Sequence, residues 1–328
     1  MRDVAHKAGV SIKTVSRVVN EEGEVSEITR QRVLTTIGEL GYRPSRVAQA
    51  LVTQRSYTVG LVVGDITNPF FPEVARGVSD AAQAQGYNVF LCNTDGHPQQ
   101  ELHILQSLAD HAVDGIILYP SYESYHNLIT FTAYYRPLVI VNYFFEHPNV
   151  SLIMVDNARG AKLAVEHLVC KGHKAIGMLT GVLTPSLSKV RRIQGFREAL
   201  QLHDLPVVNE WIVSSSEPTF EQGYKSTCNL LSQYPQVTAL FAYNDLLALG
   251  AIRACLDLGR RVPEDCAIVG FDNIGWSATA IPSLTTIHVD KFNLGRQSVT
   301  RLLEMLAQPT TSFPPIHLDV ELVVRESS

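Results

Sequence analysis

With 328 residues, 45% of them hydrophobic and 18% charged, the chain is long enough for two or more domains, and its composition excludes a disordered or coiled-coil protein. Apolar runs such as LVIVNYFF at 138–145 fall far short of the roughly 18 residues of a membrane helix, and the start MRDVAHKAGV lacks the apolar core of a secretory signal; a cytoplasmic protein with no membrane partner is expected. The formal net charge of −5 hides a segregation, because residues 1–56 hold nine Lys or Arg against six acids, a charge of +3, which leaves −8 on the remainder. Affinity for nucleic acid, if present, belongs to that basic end.

The first elements are helical. RDVAHKAG and IKTVSRVVN are short and periodic, and Ser26 with Thr29 opens a third segment, EITRQRVLTTIGELG, that Gly41 and Pro44 stop. Ala5 permits a close helix crossing, Gly9 a left-handed turn, and Val4, Ala8, Val10, Val15 and Val18 fill the wedge between the helices. Ser11 is placed to cap the second helix. With the valines turned inward, Ile12, Lys13, Ser16, Arg17 and Asn20 face outward; helix N-termini and the hydroxyls of Thr14 and Ser16 suit phosphates, Lys13 and Arg17 suit base edges or phosphates, Ile12 suits a thymine methyl, and Ser11 is counted with them among the DNA-binding residues. Alone, this pattern fits a plain helical hairpin with solvated cations equally well.

The following segment, SRVAQALVTQRS at 45–56, weighs against that bland account. Val47, Ala48 and Leu51 share one face, while Arg46 and Arg55 remain for phosphates. So short a helix is marginal in water and is expected to fold on DNA or against a twin, with Leu51 as a wedge between base pairs.

From residue 57 apolar runs alternate with amphipathic helices. Strands are expected at YTVGLVV, YNVFLCN, DGIILYP, PLVIVNY, SLIMVDN, AIGMLTG, ALFAYN, CAIVGFD and TTIHV. Such βα alternation predicts parallel sheets covered on both faces, and this many strands suit two doubly wound lobes with a ligand cleft between them. Polar groups suited to a ligand stand at strand ends and helix starts: Asn244 and Asp245 after ALF, Asp272 and Asn273 after AIVGF, Ser188 and Arg192 in SLSKVRR. Structural roles compete with each. Asp245 is expected to cap the helix that follows it, Arg192 and Asp272 suit a buried pair as well as a ligand, and Phe70 and Phe71 divide evenly between core and stacking platform; Trp276 and Tyr122 are weaker aromatic candidates.

In order, DVAHKAGVSIKTVSRVVN, VSEITRQRVLTTIGELGYRPSRVAQAL, VGLVVGDITNPFFPEVARGV, VDNARGAKLAVEHLVCKGHKAIGMLTG, FAYNDLLALGAIRACLDLGRRVPEDCAIVGFDN and PSLTTI resemble the lactose-repressor/galactose-repressor (LacI/GalR) family of bacterial transcription regulators, from residue 2 to about 326. The resemblance implies an all-α helix-turn-helix head on an α/β two-lobed body like that of periplasmic binding proteins. It further implies a homodimer on a near-palindromic double-stranded operator, governed by a small, sugar-like or other metabolite effector. On matching positions it makes Ile12, Lys13 and Arg17 the base readers and Leu51 the minor-groove wedge, and it assigns the effector to Arg192, Asn244, Asp272, Asn142, Phe70, Phe71 and Ser121. The expected division is 1–44 for the head, 45–56 for the hinge and 57–328 for the core, with one lobe at about 57–155 and 287–314 and the other at about 156–286 and 315–328. Two departures keep the effector open: Pro218 stands where many relatives carry an aromatic residue, and Asn142 where many carry an acid.

Other classes lack their central residues. No GxGxxG, GxxxxGK[ST] or GxSxG occurs, so no enzyme and no cofactor is expected. His167, Cys170 and His173 lack an evident fourth ligand, and the five cysteines form no CxxC pair, so no metal is expected either. A transport-type solute-binding protein shares the two lobes but not a DNA-reading head. After LDVELVVRESS no heptads follow, so a tetramer built by a terminal helical bundle is not expected.

Overall fold

A computed structural model describes residues 1–19, 23–42, 55–121, 125–135, 137–181 and 186–328, which fall into two compact units, Met1–Tyr57 and Thr58–Ser328. Asn20, Tyr122 and the expected hinge residues Arg46, Ala48 and Leu51 lie outside the described residues.

In the first unit α1 (Arg2–Ala8), α2 (Ile12–Val19) and α3 (Glu27–Glu39) follow one another. Gly9 takes φ 64 and ends α1, a left-handed turn in which the Val10 N–H returns to the Ala5 carbonyl at 3.0 Å. Ser11 Oγ accepts from the Thr14 N–H at 3.1 Å and starts α2; Ser26 does the same for α3 through the Thr29 N–H at 3.4 Å. Val4, Ala5, Ala8, Val15, Val18 and Val33 form the core, with Val10 partly buried at its edge. Burial of each valine contributes about 1.5 kcal/mol or more before ordering costs. The Lys7–Glu39 ion pair at 2.9 Å is solvent-exposed and adds little to that packing.

The second unit carries two six-stranded sheets. The first uses β1 (Thr58–Val63), β2 (Asn88–Asn93), β3 (Gly115–Leu118), β4 (Leu138–Val141), β5 (Val150–Val155) and β11 (Ile316–Leu318), in the order β11-β5-β4-β3-β1-β2, all parallel. The second uses β6 (Ile176–Thr180), β7 (Ile212–Ser214), β8 (Ala239–Ala242), β9 (Ala267–Asp272), β10 (Thr285–His288) and β12 (Glu321–Val323), in the order β12-β10-β9-β8-β6-β7, with β12 alone antiparallel to its neighbour. Central strands such as β3, β4, β8 and β9 are buried along their whole length, as strands covered on both faces must be.

Helices α4 (Phe70–Ala84), α5 (Pro98–Asp110), α6 (Tyr125–Thr132) and α12 (Lys291–Ala307) belong to the first lobe; α7 (Asn157–Cys170), α8 (Leu187–Leu202), α9 (Phe220–Gln233), α10 (Asp245–Asp257) and the short α11 (Gly275–Thr279) belong to the second. Both lobes have tight helix crossings built on glycine. A Cβ on Gly77 of α4 would meet the Phe292 carbonyl of α12, and a Cβ on Gly250 of α10 would meet the Phe220 carbonyl of α9. No helix among the described residues is long and apolar enough to cross a membrane.

The chain passes between lobes at 156, at 289–290 and at 319–320. Two expected limits shift. β10 keeps the second lobe going to His288, past the expected end at 286, because Thr285–His288 pairs with Val269–Asp272. Residues 316–318 belong to the first lobe, not the second, because they pair with Ile153–Val155. Three-residue edge strands with half-exposed side chains leave no apolar run by which to place them.

Candidate functional site

Two sets of side chains stand out. On α2, Val15 and Val18 point into the head core, which leaves Ile12, Lys13 and Arg17 exposed on the opposite face, with Thr14 and Ser16 half-buried beside them. Ile12 is a large apolar residue 46% exposed on an otherwise polar surface. The Ser11 hydroxyl is engaged in the helix cap and in a 2.9 Å bond with Thr14 Oγ1, so at the start of α2 the groups free to point outward are backbone N–H groups and the flanking cations.

The second set lies where parallel strands end. In the first lobe, Phe70 and Phe71 open α4 and pack edge-to-face at 5.4 Å; Tyr119, just after β3, meets their rings at 6.4 and 5.2 Å. Both phenylalanines are half-buried and lean on the core, so each combines packing with an open edge. Ser121 is buried; its N–H donates to Glu101 Oε2, and neither Ser121 Oγ nor Tyr119 Oη meets a hydrogen-bond partner among the described residues. Burial alone pushes the Tyr119 phenol well above its ordinary range. Asn142 follows β4 with φ 53, and its Oδ1 accepts from the Val155 N–H at 2.8 Å, which ties the end of β4 to the end of β5 beside a lobe crossing.

In the second lobe the groups are charged. Arg192 on α8 is almost entirely buried: Nε donates to Asn157 Oδ1 at 2.8 Å, Nη1 to the Tyr243 carbonyl, and Nη2 lies 3.5 Å from Asp272 Oδ1. Its guanidinium sits 3.5 Å from the centre of the Phe271 ring and 4.4 Å from that of Tyr243. Asp272, the last residue of β9, has φ 106, and burial raises its carboxyl to about 6 despite the opposing pull of Arg192 and Lys291. Asp245, fully buried, accepts from the Ile274 N–H at 2.8 Å, Ser277 Oγ at 2.7 Å and Thr286 Oγ1 at 2.5 Å. Burial first, and the Asp272 charge second, raise it to about 7.

Asp245 does not cap α10, contrary to expectation. Asn244 is the cap, its Oδ1 accepting from the Leu247 N–H at 2.9 Å and its Nδ2 donating to the Pro218 carbonyl at 2.9 Å. With φ −144 and ψ 172 Asn244 has the extended backbone of a capping residue, whereas Asp245 is already the first helical residue and points into the lobe.

Arg192 and Asp272 are therefore brought into one constellation, with Asn244 next to the Tyr243 that Arg192 binds. Phe70 and Phe71 join Tyr119, two residues from Ser121, in another; Asn142 stands apart at its crossing. Tyr119, Asn157, Tyr243 and Lys291 were not foreseen. Tyr243 adjoins Asn244 in AYND, and its hydroxyl bonds Ser188 Oγ at 2.9 Å; the others carry no sequence signal beyond their place at element ends. Trp276 is 58% exposed and lines an outer groove of about 390 Å³ with Phe220, Ile252, Leu256 and Ile281.

Known proteins resemble the chain along its whole length. Residues 1–45 match the family described as bacterial regulatory proteins, lacI family, and residues 56–321 match the periplasmic binding proteins and sugar binding domain of the LacI family. The HTH-type transcriptional repressor PurR of Mannheimia succiniciproducens is 38% identical over 329 residues, which covers 100% of this chain and 98% of that protein. The ribose operon repressor of Halalkalibacterium halodurans is 38% identical over 330 residues, 100% of this chain and 96% of its own. Among solved structures, the lac repressor dimer bound to operator and the anti-inducer ONPF superposes with a TM-score of 0.89 at 31% identity, over 99% of this chain and 97% of that one.

Proposed function

The chain belongs to the lacI family of bacterial regulatory proteins, and on that premise we propose a cytoplasmic homodimer whose two heads read the halves of a near-palindromic operator, while a sugar-like effector between the lobes sets their spacing. As a member of that family it is a DNA-binding, ligand-responsive transcriptional repressor and not an enzyme. The observation that carries the finer reading is the separation of two chemistries: an exposed Ile12, Lys13 and Arg17 face on a packed helix, and a buried Arg192–Asp272 pair where strand β9 ends.

In this reading Ile12, Lys13 and Arg17 meet base edges in the major groove. The start of α2, with Ser11, Thr14 and Ser16, meets phosphates, and Asn20, Arg46, Ala48 and Leu51 complete the contact, Leu51 as the minor-groove wedge. Arg192 and Asp272 take effector hydroxyls from one side and Phe70 and Phe71 close from the other, with Ser121, Asn142 and Asn244 as further polar contacts. The Phe70, Phe71 and Tyr119 rings also suit a planar base, which supports a purine as the second candidate. Apolar surface at Phe90 and Leu91 on the edge strand β2, and at Trp276 and Ile281, supports pairing with a second copy.

A mobility-shift assay on genomic fragments between about 50 and 200 mM salt tests the DNA reading, with steep weakening expected over that range. Absence of a salt-sensitive shift on every fragment ends it. A thermal-shift screen with sugars, polyols, sugar phosphates and purines selects the effector class.

A further inference from the structure

Lys291 opens α12 of the first lobe directly after the crossing at 289–290, and its side chain is wholly excluded from solvent. A buried ammonium has three protons to place and a steep desolvation cost if it fails to place them. Two firm bonds go to carbonyls of the second lobe, Asp272 O at 2.7 Å and Asn273 O at 2.9 Å. Two acceptors stand farther off, Val289 O at 3.4 Å and, in the first lobe, Glu73 Oε2 at 3.5 Å. The carbonyl arms are short and shielded from water, whereas the Glu73 side chain is 48% exposed and can exchange its partner for water.

The ends of this bridge are the two walls of the ligand site. Asp272 and Asn273 hold φ 106 and 53, an unusual turn that presents the Asp272 carboxylate to Arg192. Glu73 stands in the first turn of α4, two residues after Phe71. Capping does not explain the lysine, because Asp290 Oδ1 already accepts from the Asn293 N–H at 2.9 Å. Other bonds to the turn, from Arg325 Nη2 to Asn273 Oδ1 at 2.8 Å and between Asn273 Nδ2 and His288 Nδ1 at 3.1 Å, stay inside the second lobe. The two Lys291 bonds to the turn come from the first lobe, where Glu73 also stands.

We propose that Lys291 is a positioning residue for the ligand site, reaching from the first lobe into the Asp272–Asn273 turn and braced on its own side by a breakable ion pair with Glu73, so that lobe angle and the order of that turn are set together. Any movement of the first lobe relative to β9 pulls on the two carbonyl bonds, which are the arms that cross between lobes, while the 3.5 Å contact with Glu73 decides how firmly the lysine is held on its own side. The proposal rests on the ligand-gated reading above for its purpose, though not for its geometry.

Amide hydrogen–deuterium exchange on the full chain, comparing wild type with Glu73→Gln, reads both walls. Glu73→Gln keeps the side chain's size and removes its charge. Exchange is expected to rise about two- to fivefold, the range of a weak ion pair whose carboxylate reaches water, both at 70–74 and across the gap at 271–275. Raising salt to about 1 M should reproduce that rise in wild type and add nothing in the variant. A rise confined to 70–74, or a salt response at 271–275 that persists in Glu73→Gln, overturns the proposal. Lys291→Met, which removes both arms, should give the larger rise at 271–275; the Glu73→Gln comparison decides the matter whether or not Lys291→Met folds. Wild-type operator binding by mobility shift reports separately on the ligand-gated reading, so failure of that reading is distinguishable from failure of the bridge.

Discussion

The two lobes are built on one plan and end in opposite chemistry. Each has a six-stranded, mainly parallel sheet and a glycine-based helix crossing, Gly77 beside Phe292 in one and Gly250 beside Phe220 in the other. Yet the strand ends of the second lobe gather Arg192, Asp245 and Asp272 in a buried charged network, with the Lys291 ammonium reaching in, whereas those of the first present Phe70, Phe71, Tyr119, Ser121 and Asn142, all neutral. A charged network fixed by several bonds is costly to rearrange, and a neutral aromatic wall is cheap to move. Under the proposed function, the difference suits the second lobe to orienting a ligand and the first to closing over it.

The largest way to break this comparison is to remove one charge. Arg192→Ala leaves Asp272 buried without its paired guanidinium and strips Phe271 and Tyr243 of their stacked partner, so unfolding by urea should show a loss of about 3–5 kcal/mol. Effector response should vanish as well, while the head, a separate compact unit, keeps its affinity for DNA in a mobility shift at low temperature. Retention of the effector response in a folded Arg192→Ala protein would show that orientation is not the second lobe's task.

Below that comes the pH dependence of the charged lobe. Asp245 is raised from 3.8 to about 7 and Asp272 from 3.8 to about 6, mainly by burial. The folded state therefore holds protons that the unfolded chain has released. Stability from these groups is present below about pH 4 and is lost as pH rises towards 7. Asp245→Asn, which cannot ionise, should flatten the curve of melting temperature against pH between about 4 and 7. An unchanged slope would place the titration elsewhere in the chain.

Where the lobes are alike, matched substitutions should cost alike. Gly250→Ala and Gly77→Ala each press a methyl group onto a neighbouring helix backbone, and each should lower stability by about 1–3 kcal/mol in a urea titration. A large difference between the two would mean that one crossing can separate, which would point to the more mobile lobe.

How much of this was legible in the sequence follows the same divide. The strands buried from end to end announced themselves as apolar runs, and the head announced itself through Gly9, Ser11 and the inward valines. β7, β11 and β12 did not, because three half-exposed residues at a sheet edge carry no periodicity. Arg192 and Asp272 could be picked out because opposite charges at a helix start and a strand end are rare. Asp245 was misread as a cap since Asn and Asp cap equally well, and only the backbone angles separate Asn244 from its neighbour. Lys291 is one lysine at a helix start, and its burial comes from a lobe crossing that no local pattern announces.

The smallest expected effect sharpens the comparison most, because its sign is reversed. Tyr119 Oη is buried in the neutral wall with no hydrogen-bond partner among the described residues, so the protein's own described groups do not offset its desolvation cost. Tyr119→Phe removes that oxygen and keeps the ring against Phe70 and Phe71. Without effector, the variant should match or exceed wild type in stability, by up to about 1 kcal/mol. If the hydroxyl is held in reserve for the ligand, the same substitution should weaken effector binding by isothermal titration, about five- to tenfold for one neutral hydrogen bond. A variant that is less stable and binds effector as well as wild type would make Tyr119 a structural residue, and the neutral wall a packing surface that contributes shape but no polar contact at this position.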